Sequence, residues 1–400
     1  MSLESVPLWL QGLFTATVTW GAGLSLFVFA LNRQLSFVEF LHRRVLVGWI
    51  LVVLACGAAS GLAISEGKLA GLWLRVYLLF PGSLLLALLI GEVRLTWQRW
   101  YYRGSKPSTR DRHQFDGKKL VQVEGRENTL LYQWRRPVTT MDLEVSRYDV
   151  NVQGLPLAEG SSGGRVKVVQ LSDFHLSPRL PFAYFRSAVE LAMQEEADLV
   201  LLTGDFVTFP EDANRLPELF EGLRGRLGNF ATLGNHDYWT GSKPVVQALR
   251  RIGVHLITND WVRVPIGGGR NLLLCGIDDP WGKPPWQPPP FQDGELNLII
   301  SHSADNIFRL ITYPFAGVFS GHFHGGQARL PGFGPLVVPS RYGRRFDHGH
   351  FKFKNTAGIG YTHLFVSAGV GSAMPLLRIY CQPEIIVVNF EVAPQLDWVE

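Results

Sequence analysis

The feature of this sequence that most constrains its fold is a pattern that occurs five times between residues 166 and 324. Each time, a short apolar run leads into a small polar motif. The motifs are Asp173-Phe174-His175, Gly204-Asp205, Gly234-Asn235-His236-Asp237, Ser301-His302 and Gly321-His322-Phe323-His324. Short apolar runs bounded by turn residues are typical of buried strands, so we expect each motif at or just beyond the end of a strand.

Segments with helical spacing separate several of these runs. The spacing predicts helices over residues 181–194, 215–223 and 243–252. Strands are predicted over residues 142–152, 166–171, 199–203, 229–233, 271–277, 296–301, 317–320, 364–368 and 384–392. Strands that alternate with helices indicate an α/β layered domain, and such sheets place their sites at the carboxyl ends of strands.

The motifs supply carboxylate oxygen, amide oxygen and imidazole nitrogen, which are ligands for divalent metal ions. The candidate ligands are Asp173, His175, Asp205, Asn235, His302, His322 and His324. Residues two apart at a strand end point to the same side, and a carboxylate such as that of Asp205 can bridge two ions. Each motif alone is common as a simple turn, but the ordered set predicts a site for two divalent ions.

The first hundred residues have a different composition. Three apolar stretches cover residues 7–31, 45–64 and 69–90, and each is close to the roughly 20 residues that a membrane-spanning helix needs. The third contains Arg75, and a buried or re-entrant helix is the alternative there. We therefore predict a transmembrane region with about three helices over residues 1–103.

The basic residues predict how this region is oriented. Three arginines lie in the first connection, at positions 33, 43 and 44, and six basic residues follow the third stretch between positions 94 and 112. Basic segments favour the cytoplasmic side, so the domain that follows them is predicted to be cytoplasmic and the protein to be a multi-pass membrane protein. Residues 104–138 are predicted to be a basic linker over anionic headgroups, and residues 139–400 to be the soluble domain.

At this point the motifs resemble those of the calcineurin-like metallophosphoesterase superfamily, in its bacterial membrane-tethered branch. The strings that carry the resemblance are residues 170–176, 202–205, 234–237, 276–280, 321–327 and 382–385. The resemblance covers residues 142–392 and implies a two-sheet sandwich flanked by helices. Where the family often has Leu, Thr and Arg, this sequence has Phe174, Phe323 and Ala368.

The resemblance also implies how the ligands divide between two ions. One ion would take Asp173, His175, Asp205 and His324. The other would take Asp205, Asn235, His302 and His322. His236 would be the catalytic residue, a general acid or a stabiliser of phosphoryl oxygens, and not a ligand. Manganese is the expected metal, with iron and zinc as alternatives.

Two ions side by side can activate water and hold a phosphoryl group. We therefore predict a membrane-anchored hydrolase of a phosphodiester or pyrophosphate bond in a lipid-linked or amphiphilic substrate. Trp281, Trp286 and Phe291 would form an apolar lip for a lipid tail, and Arg341, Arg344 and Arg345 could bind phosphate. The alternatives are a nuclease or phosphomonoesterase of the same superfamily, or a non-catalytic membrane scaffold. No nucleic acid partner is expected, because no long basic track with stacking aromatics is evident. No protein partner is identifiable from the sequence.

Overall fold

A computed structural model describes residues 90–116, 137–152, 164–267, 269–278, 280–282, 286–373 and 377–392. The predicted spans over residues 7–31, 45–64 and 69–90 lie outside these residues, apart from residue 90. In the described ranges no helix combines the length and hydropathy that a bilayer crossing requires. The described residues fall into two compact units, one with residues 90–101 and 336–345 and one with the remainder.

Helix α1 covers residues 90–102, and the smaller unit contains all of this helix except residue 102. Arg344 is only 8% exposed, and its guanidinium donates to the carboxylate of Glu92 at 2.6 Å and to the Thr96 hydroxyl at 2.7 Å. The prediction that Arg344 binds phosphate is therefore wrong, because this side chain is occupied by a buried ion pair. Trp97 and Trp100 of α1 are exposed.

The larger unit contains two main sheets. The strands of the first sheet are, in spatial order, β1 (Thr109–Gln114), β2 (Asp142–Val152), β15 (Glu384–Val392), β3 (Gly164–Leu171), β4 (Leu199–Leu202), β5 (Gly228–Ala231) and β6 (His255–Leu256). Strands β3 to β6 are parallel neighbours, whereas β15 runs antiparallel to β3. Four consecutive strands of this sheet therefore end at one edge.

The strands of the second sheet are β13 (Gly349–Lys354), β14 (Tyr361–Val366), β10 (Gly317–Ser320), β9 (Leu296–Ser301), β8 (Arg270–Ile277) and β7 (Trp261–Gly267). Its central strands β8, β9, β10 and β14 are parallel. A small hairpin pairs β11 (Arg329–Leu330) with β12 (Gly334–Pro335). The α-helices of this unit are α2 (Phe182–Met193), α3 (Leu216–Leu219), α4 (Asn235–Trp239), α5 (Ser242–Arg251) and α6 (Ile307–Leu310).

Hydrophobic residues on both faces of the first sheet explain the layering. In β4, Leu199 and Leu201 join a cluster that also contains residues of the second sheet. Val200 and Leu202 join a different cluster with residues of α2, α3 and α5. A strand that is apolar on every residue is thus buried on both sides, by the second sheet on one face and by helices on the other, as expected for parallel strands. The predicted α/β two-sheet arrangement with flanking helices is confirmed.

The predicted linker requires a correction. Residues Thr109–Gln114 form β1, which pairs antiparallel with β2 at the edge of the first sheet. Arg112 binds Glu144 at 3.1 Å, and Arg147 binds Asp111 across the same pair of strands at 2.5 Å. The basic residues here therefore face acidic partners of the sheet, and the sheet begins about thirty residues before the predicted domain boundary at residue 139.

Candidate metal centre

The five motifs lie where the topology brings strand ends together. Asp173 follows β3, Asp205 follows β4 and Asn235 follows β5. Because these strands are parallel neighbours, their carboxyl ends share one edge of the first sheet. His302 and His322 follow the parallel strands β9 and β10 of the second sheet in the same way.

Backbone hydrogen bonds hold the loops that carry these motifs. The Asp173 N–H donates to the Gly204 carbonyl at 3.0 Å, and the His175 N–H donates to the Asp205 carbonyl at 3.0 Å. The His322 N–H donates to the Asp173 carboxylate at 3.0 Å. The last bond joins a loop of the second sheet to a loop of the first, so the carboxyl ends of the two sheets are connected at the site itself.

Two glycines of the motifs are required by close approach. Gly204 has a φ of 96°, and a Cβ at this position would collide with the Gly234 nitrogen and the His302 ring. A Cβ on Gly234 would collide with the Asp205 carboxylate. Any side chain at either position would therefore displace candidate ligands.

The first group of candidate ligands contains Asp173, His175, Asp205 and His324, and all four are buried. One ligand atom from each lies within 4.8 Å of the others. The Nε2 atoms of His175 and His324 are 3.0 Å apart. The carboxylates flank this pair, with Asp205 Oδ2 3.5 Å from His175 Nε2 and Asp173 Oδ1 3.5 Å from His324 Nε2.

The second group contains Asp205, His302 and His322. His302 Nε2 lies 3.3 Å from Asp205 Oδ2 and 3.1 Å from Asn235 Oδ1, which brings Asn235 beside this group. The Nδ1–H of His302 donates to the Thr203 carbonyl at 2.6 Å, because a carbonyl can only accept. That bond fixes the ring with Nε2 towards the group, the arrangement typical of metal-binding histidines. Asp205 is common to both groups.

Burial and mutual charge shift the pKa values of these residues. Burial raises the pKa of Asp173 to about 6 and lowers the pKa of His175 to about 3. Burial also lowers the pKa of His322 to about 3. Burial alone would lower the pKa of His302, but the Asp205 carboxylate outweighs it and raises that pKa to about 9. The same pair holds the pKa of Asp205 well below its usual range, although burial opposes this.

This set of side chains fits divalent metal ions. Three of its imidazoles are neutral near pH 7 and offer lone pairs, and two buried carboxylates lie among them. The Nδ1 atom of His175 has no hydrogen-bond partner among the described residues. Buried acceptors that face each other are unfavourable without a cation, so the cluster is suited to a dinuclear metal site.

The backbone of the site is unusual. Asp173, His175, Asp205, His322 and His324 all have positive φ, between 44° and 69°. Such values are uncommon for residues other than glycine and typically persist where the surrounding structure enforces them. Here the enforcing contacts are the hydrogen bonds between the motif loops.

His236 lies beside the first group and is half-buried. Its backbone N–H donates to Asp205 Oδ1 at 2.8 Å, and its ring centroid is 4.5 Å from that of His175 in an edge-to-face contact. Burial lowers the pKa of His236. The ring therefore borders the ligand cluster and remains partly accessible to a substrate.

Two residues that contact the site were not assigned a role from the sequence. The Asp237 carboxylate accepts backbone N–H bonds from Asp205, Phe206 and Gly234, each at 2.9 Å. Arg378 is fully buried and donates to the carbonyls of Ala368 at 2.6 Å and His324 at 3.3 Å. The position of Asp237 in its motif was a signal, whereas nothing near Arg378 in the sequence predicts this contact.

The predicted apolar lip is only partly present. Trp281 borders the second group, with its ring 5.1 Å from His322. Trp286 is 5% exposed and packs against Tyr313, and Phe291 packs against Phe315. Trp286 and Phe291 therefore belong to a packed aromatic cluster, and the prediction that they form a lip is wrong.

Fold and site together define a class. A buried Asp/His cluster suited to two metal ions lies where the carboxyl ends of strands from the two β-sheets meet. This arrangement is that of a metallophosphoesterase. The profile of the calcineurin-like phosphoesterase family matches residues 166–326. The resemblance noted from the motifs is confirmed, and this part of the chain is a domain of that family.

Named relatives agree with this class. The chain is 27% identical over 232 residues to the metallophosphoesterase YkuE of Bacillus subtilis, covering 56% of this chain and 79% of the relative. It is 29% identical over 229 residues to the phosphodiesterase YaeI of Escherichia coli, covering 56% and 81%. It is 26% identical over 278 residues to the UDP-2,3-diacylglucosamine pyrophosphatase LpxG of Chlamydia muridarum, covering 56% and 83%. The chain is a metal-dependent phosphoester hydrolase.

Proposed function

We propose that this protein is a membrane-anchored hydrolase that uses two divalent ions to cleave a phosphodiester or pyrophosphate bond in a lipid-linked or amphiphilic substrate. The observation that carries the proposal is the shared position of Asp205 between two groups of candidate ligands. A carboxylate common to both groups suits a pair of ions that act on one phosphoryl group.

The ligand assignment follows the two groups. Asp173, His175, Asp205 and His324 would hold one ion, and Asp205, Asn235, His302 and His322 would hold the other. Such ions supply Lewis acidity and a nucleophile at neutral pH, and manganese is proposed as the physiological metal. The chain itself supplies the orientation, through the Thr203 carbonyl behind His302 and the loop hydrogen bonds around Asp173.

His236 is proposed as the catalytic side chain. The hydrogen bond from its backbone N–H to Asp205 fixes where the ring stands relative to the ligands. The ring is half-buried, so a ring N–H can reach a phosphoryl or leaving-group oxygen that binds beside His175. In this role His236 stabilises the charge that develops on oxygen and helps the leaving group to depart.

Two observations support a lipid-linked substrate. The relative LpxG is named as a pyrophosphatase of UDP-2,3-diacylglucosamine, an acylated nucleotide sugar. The first hundred residues of this chain carry three apolar stretches of near-spanning length. An enzyme held at the bilayer meets amphiphiles at high local concentration, which favours such a substrate over free nucleotides or nucleic acid.

A substrate panel tests the proposal. Purified full-chain protein is loaded with manganese and assayed on a lipid pyrophosphate, an alkyl aryl phosphodiester, an aryl phosphomonoester and single-stranded DNA. We expect the first two to be cleaved with kcat/KM at least about tenfold above the others. Preferred cleavage of DNA or of the monoester would contradict the proposed substrate. Absence of cleavage by a metal-loaded protein would favour the scaffold alternative.

A further inference from the structure

Two tryptophans lie near the candidate ligands, one beside His236 and one beside the second group. The Trp239 ring is 4.8 Å from the ring of His236, which stands next to His175. The Trp281 ring lies 5.1 Å from His322 and 5.6 Å from His302. Indole surface therefore adjoins both the proposed catalytic histidine and the second group of candidate ligands.

Local structure positions the backbone segments that carry both rings. His236 and Trp239 are three residues apart in α4, a spacing that places side chains on one helical face. The backbone N–H of Trp281 donates to the Asp278 carbonyl at 2.9 Å in the turn after β8. The Tyr238 hydroxyl donates to the Asp278 carboxylate. This bond ties the segment that carries Trp239 to the turn that carries Trp281, across the two sheets.

Among the described residues, nothing in the fold explains the exposure of Trp239. Its side chain is 68% exposed, while most aromatic side chains of this domain are packed. Indole rings bind apolar and aromatic groups through a large flat face, and ligand sites combine aromatic side chains with a few convergent polar groups. A phosphoester bound at the cluster would place its ester substituents within reach of these rings.

We propose that Trp239 and Trp281 are specificity-determining residues whose rings hold an apolar group esterified to the scissile phosphate. This inference rests on the proposed function and names the part of the substrate that the protein recognises. Recognition is by apolar burial against indole, so both an alkyl chain and an aromatic ring could supply the group. The experiment distinguishes these two sources.

The test uses p-nitrophenyl phosphodiesters whose second ester is methyl, butyl, octyl, cyclohexyl or phenyl, below their critical micelle concentrations. Full burial of a methylene is worth up to about fourfold in kcat/KM, and partial contact with indole gives less. We expect the octyl-to-methyl ratio of kcat/KM to be roughly tenfold or more in the wild type. A higher kcat/KM for the phenyl ester than for the cyclohexyl ester would show that the rings recognise the group by aromatic stacking. Equal kcat/KM values would show that they recognise it by apolar burial.

Variants locate the effect. Trp239→Ala and Trp281→Ala should each lower the octyl-to-methyl ratio at least about threefold, whereas Trp239→Phe and Trp281→Phe should retain most of it. The matched control is Trp261→Ala on β7, which should leave the ratio unchanged. Metal content and the melting temperature (Tm) are measured for every variant, so that a loss of folding is distinguished from a loss of recognition.

The outcomes separate this inference from the proposed function. Hydrolysis of all diesters with no dependence on the second ester would overturn the inference and leave the hydrolase intact. A ratio that responds equally to Trp261→Ala would also overturn it. If no diester is hydrolysed by metal-loaded protein, the proposed function fails, and the inference fails with it.

Discussion

At the scale of single residues, the sequence was most informative where chemistry restricts the choice of side chain. Asp, Asn and His are the residues that ligate hard and borderline ions, and their order along the chain was enough to predict which of them would meet. Contacts that act through the backbone were harder to predict. Arg378 reaches the His324 carbonyl from 54 positions away, and no periodicity or motif indicates such a contact.

Asp205 offers a test of the shared ligand. In Asp205→Asn the side chain keeps its shape but loses the negative charge that both groups use. We expect metal content, measured by inductively coupled plasma mass spectrometry, to fall by half or more while the fold persists in circular dichroism. The exposed Asp293→Asn is the control and should keep its full metal content. An Asp205→Asn protein with unchanged metal content would contradict the bridging role.

His236 offers a test of catalysis without ligation. We expect His236→Ala to lower turnover by about a hundredfold or more, the usual effect of removing a general acid or a charge-stabilising donor. Its metal content should stay unchanged, because the proposed ligand sets do not include this side chain. His255→Ala, at the exposed end of the first sheet, serves as the control. Loss of metal in His236→Ala would instead make this residue a ligand.

At the scale of secondary-structure elements, the buried strands were predictable and the edge strands were not. Strand β4 is a run of four apolar residues followed by Thr203-Gly204, and this length and boundary favour a buried strand. Strand β1 contains no apolar residue, and it pairs antiparallel with β2, where its charged side chains also meet Glu144 and Arg147. Those pairs form only once β2 is in place, so a local sequence pattern does not predict them.

Strand β15 carries a titratable group with a consequence for stability. Glu384 is fully buried, and burial raises its pKa from an ordinary value of 4.5 to about 7. The folded state therefore binds the proton more tightly, and the unfolded chain ionises first as the pH rises. The protonated Glu384 side chain therefore stabilises the folded state fully below about pH 4.5, and this stabilisation is lost as the pH rises through 7. The loss lowers the free energy of unfolding by about 3 kcal/mol.

Glu384→Gln removes this ionisation and keeps an oxygen to accept the Ala368 N–H, which donates to the wild-type carboxylate at 3.2 Å. We expect the variant to have a Tm a few degrees above the wild type at pH 8 and close to it at pH 5. Thermal unfolding of both proteins across this range is the measurement. If the Tm of the wild type instead rose above that of the variant as the pH increased, the predicted effect of Glu384 ionisation on stability would be wrong.

At the scale of the whole molecule, the arrangement of the N-terminal region is a prediction from charge and hydropathy. The three apolar stretches and the basic residues that flank them predict an integral membrane protein with the hydrolase domain in the cytoplasm. We expect the full chain to remain in membranes after alkaline carbonate extraction. A green fluorescent protein fused to the C-terminus should fluoresce, and alkaline phosphatase fused there should be inactive.

The opposite reporter pattern would place the domain on the other side of the membrane, and release by carbonate would contradict membrane integration. A useful control replaces Arg33, Arg43 and Arg44 with glutamine. This change weakens the basic bias of the first connection, so a fraction of the chains should invert. No inversion would mean that the six basic residues after the third stretch suffice to set the orientation.

The left-handed backbone at five of the seven candidate ligands limits how this centre can change by mutation. Asn and Gly tolerate such dihedral angles, whereas β-branched residues are strongly disfavoured there. A family of descendants that loses metal binding should therefore pass through Asn or Gly at these positions, and Val, Ile or Thr should be rare. The same preference gives a practical rule for saturation libraries: substitutions that respect the dihedral angles report on chemistry, and the others report on folding.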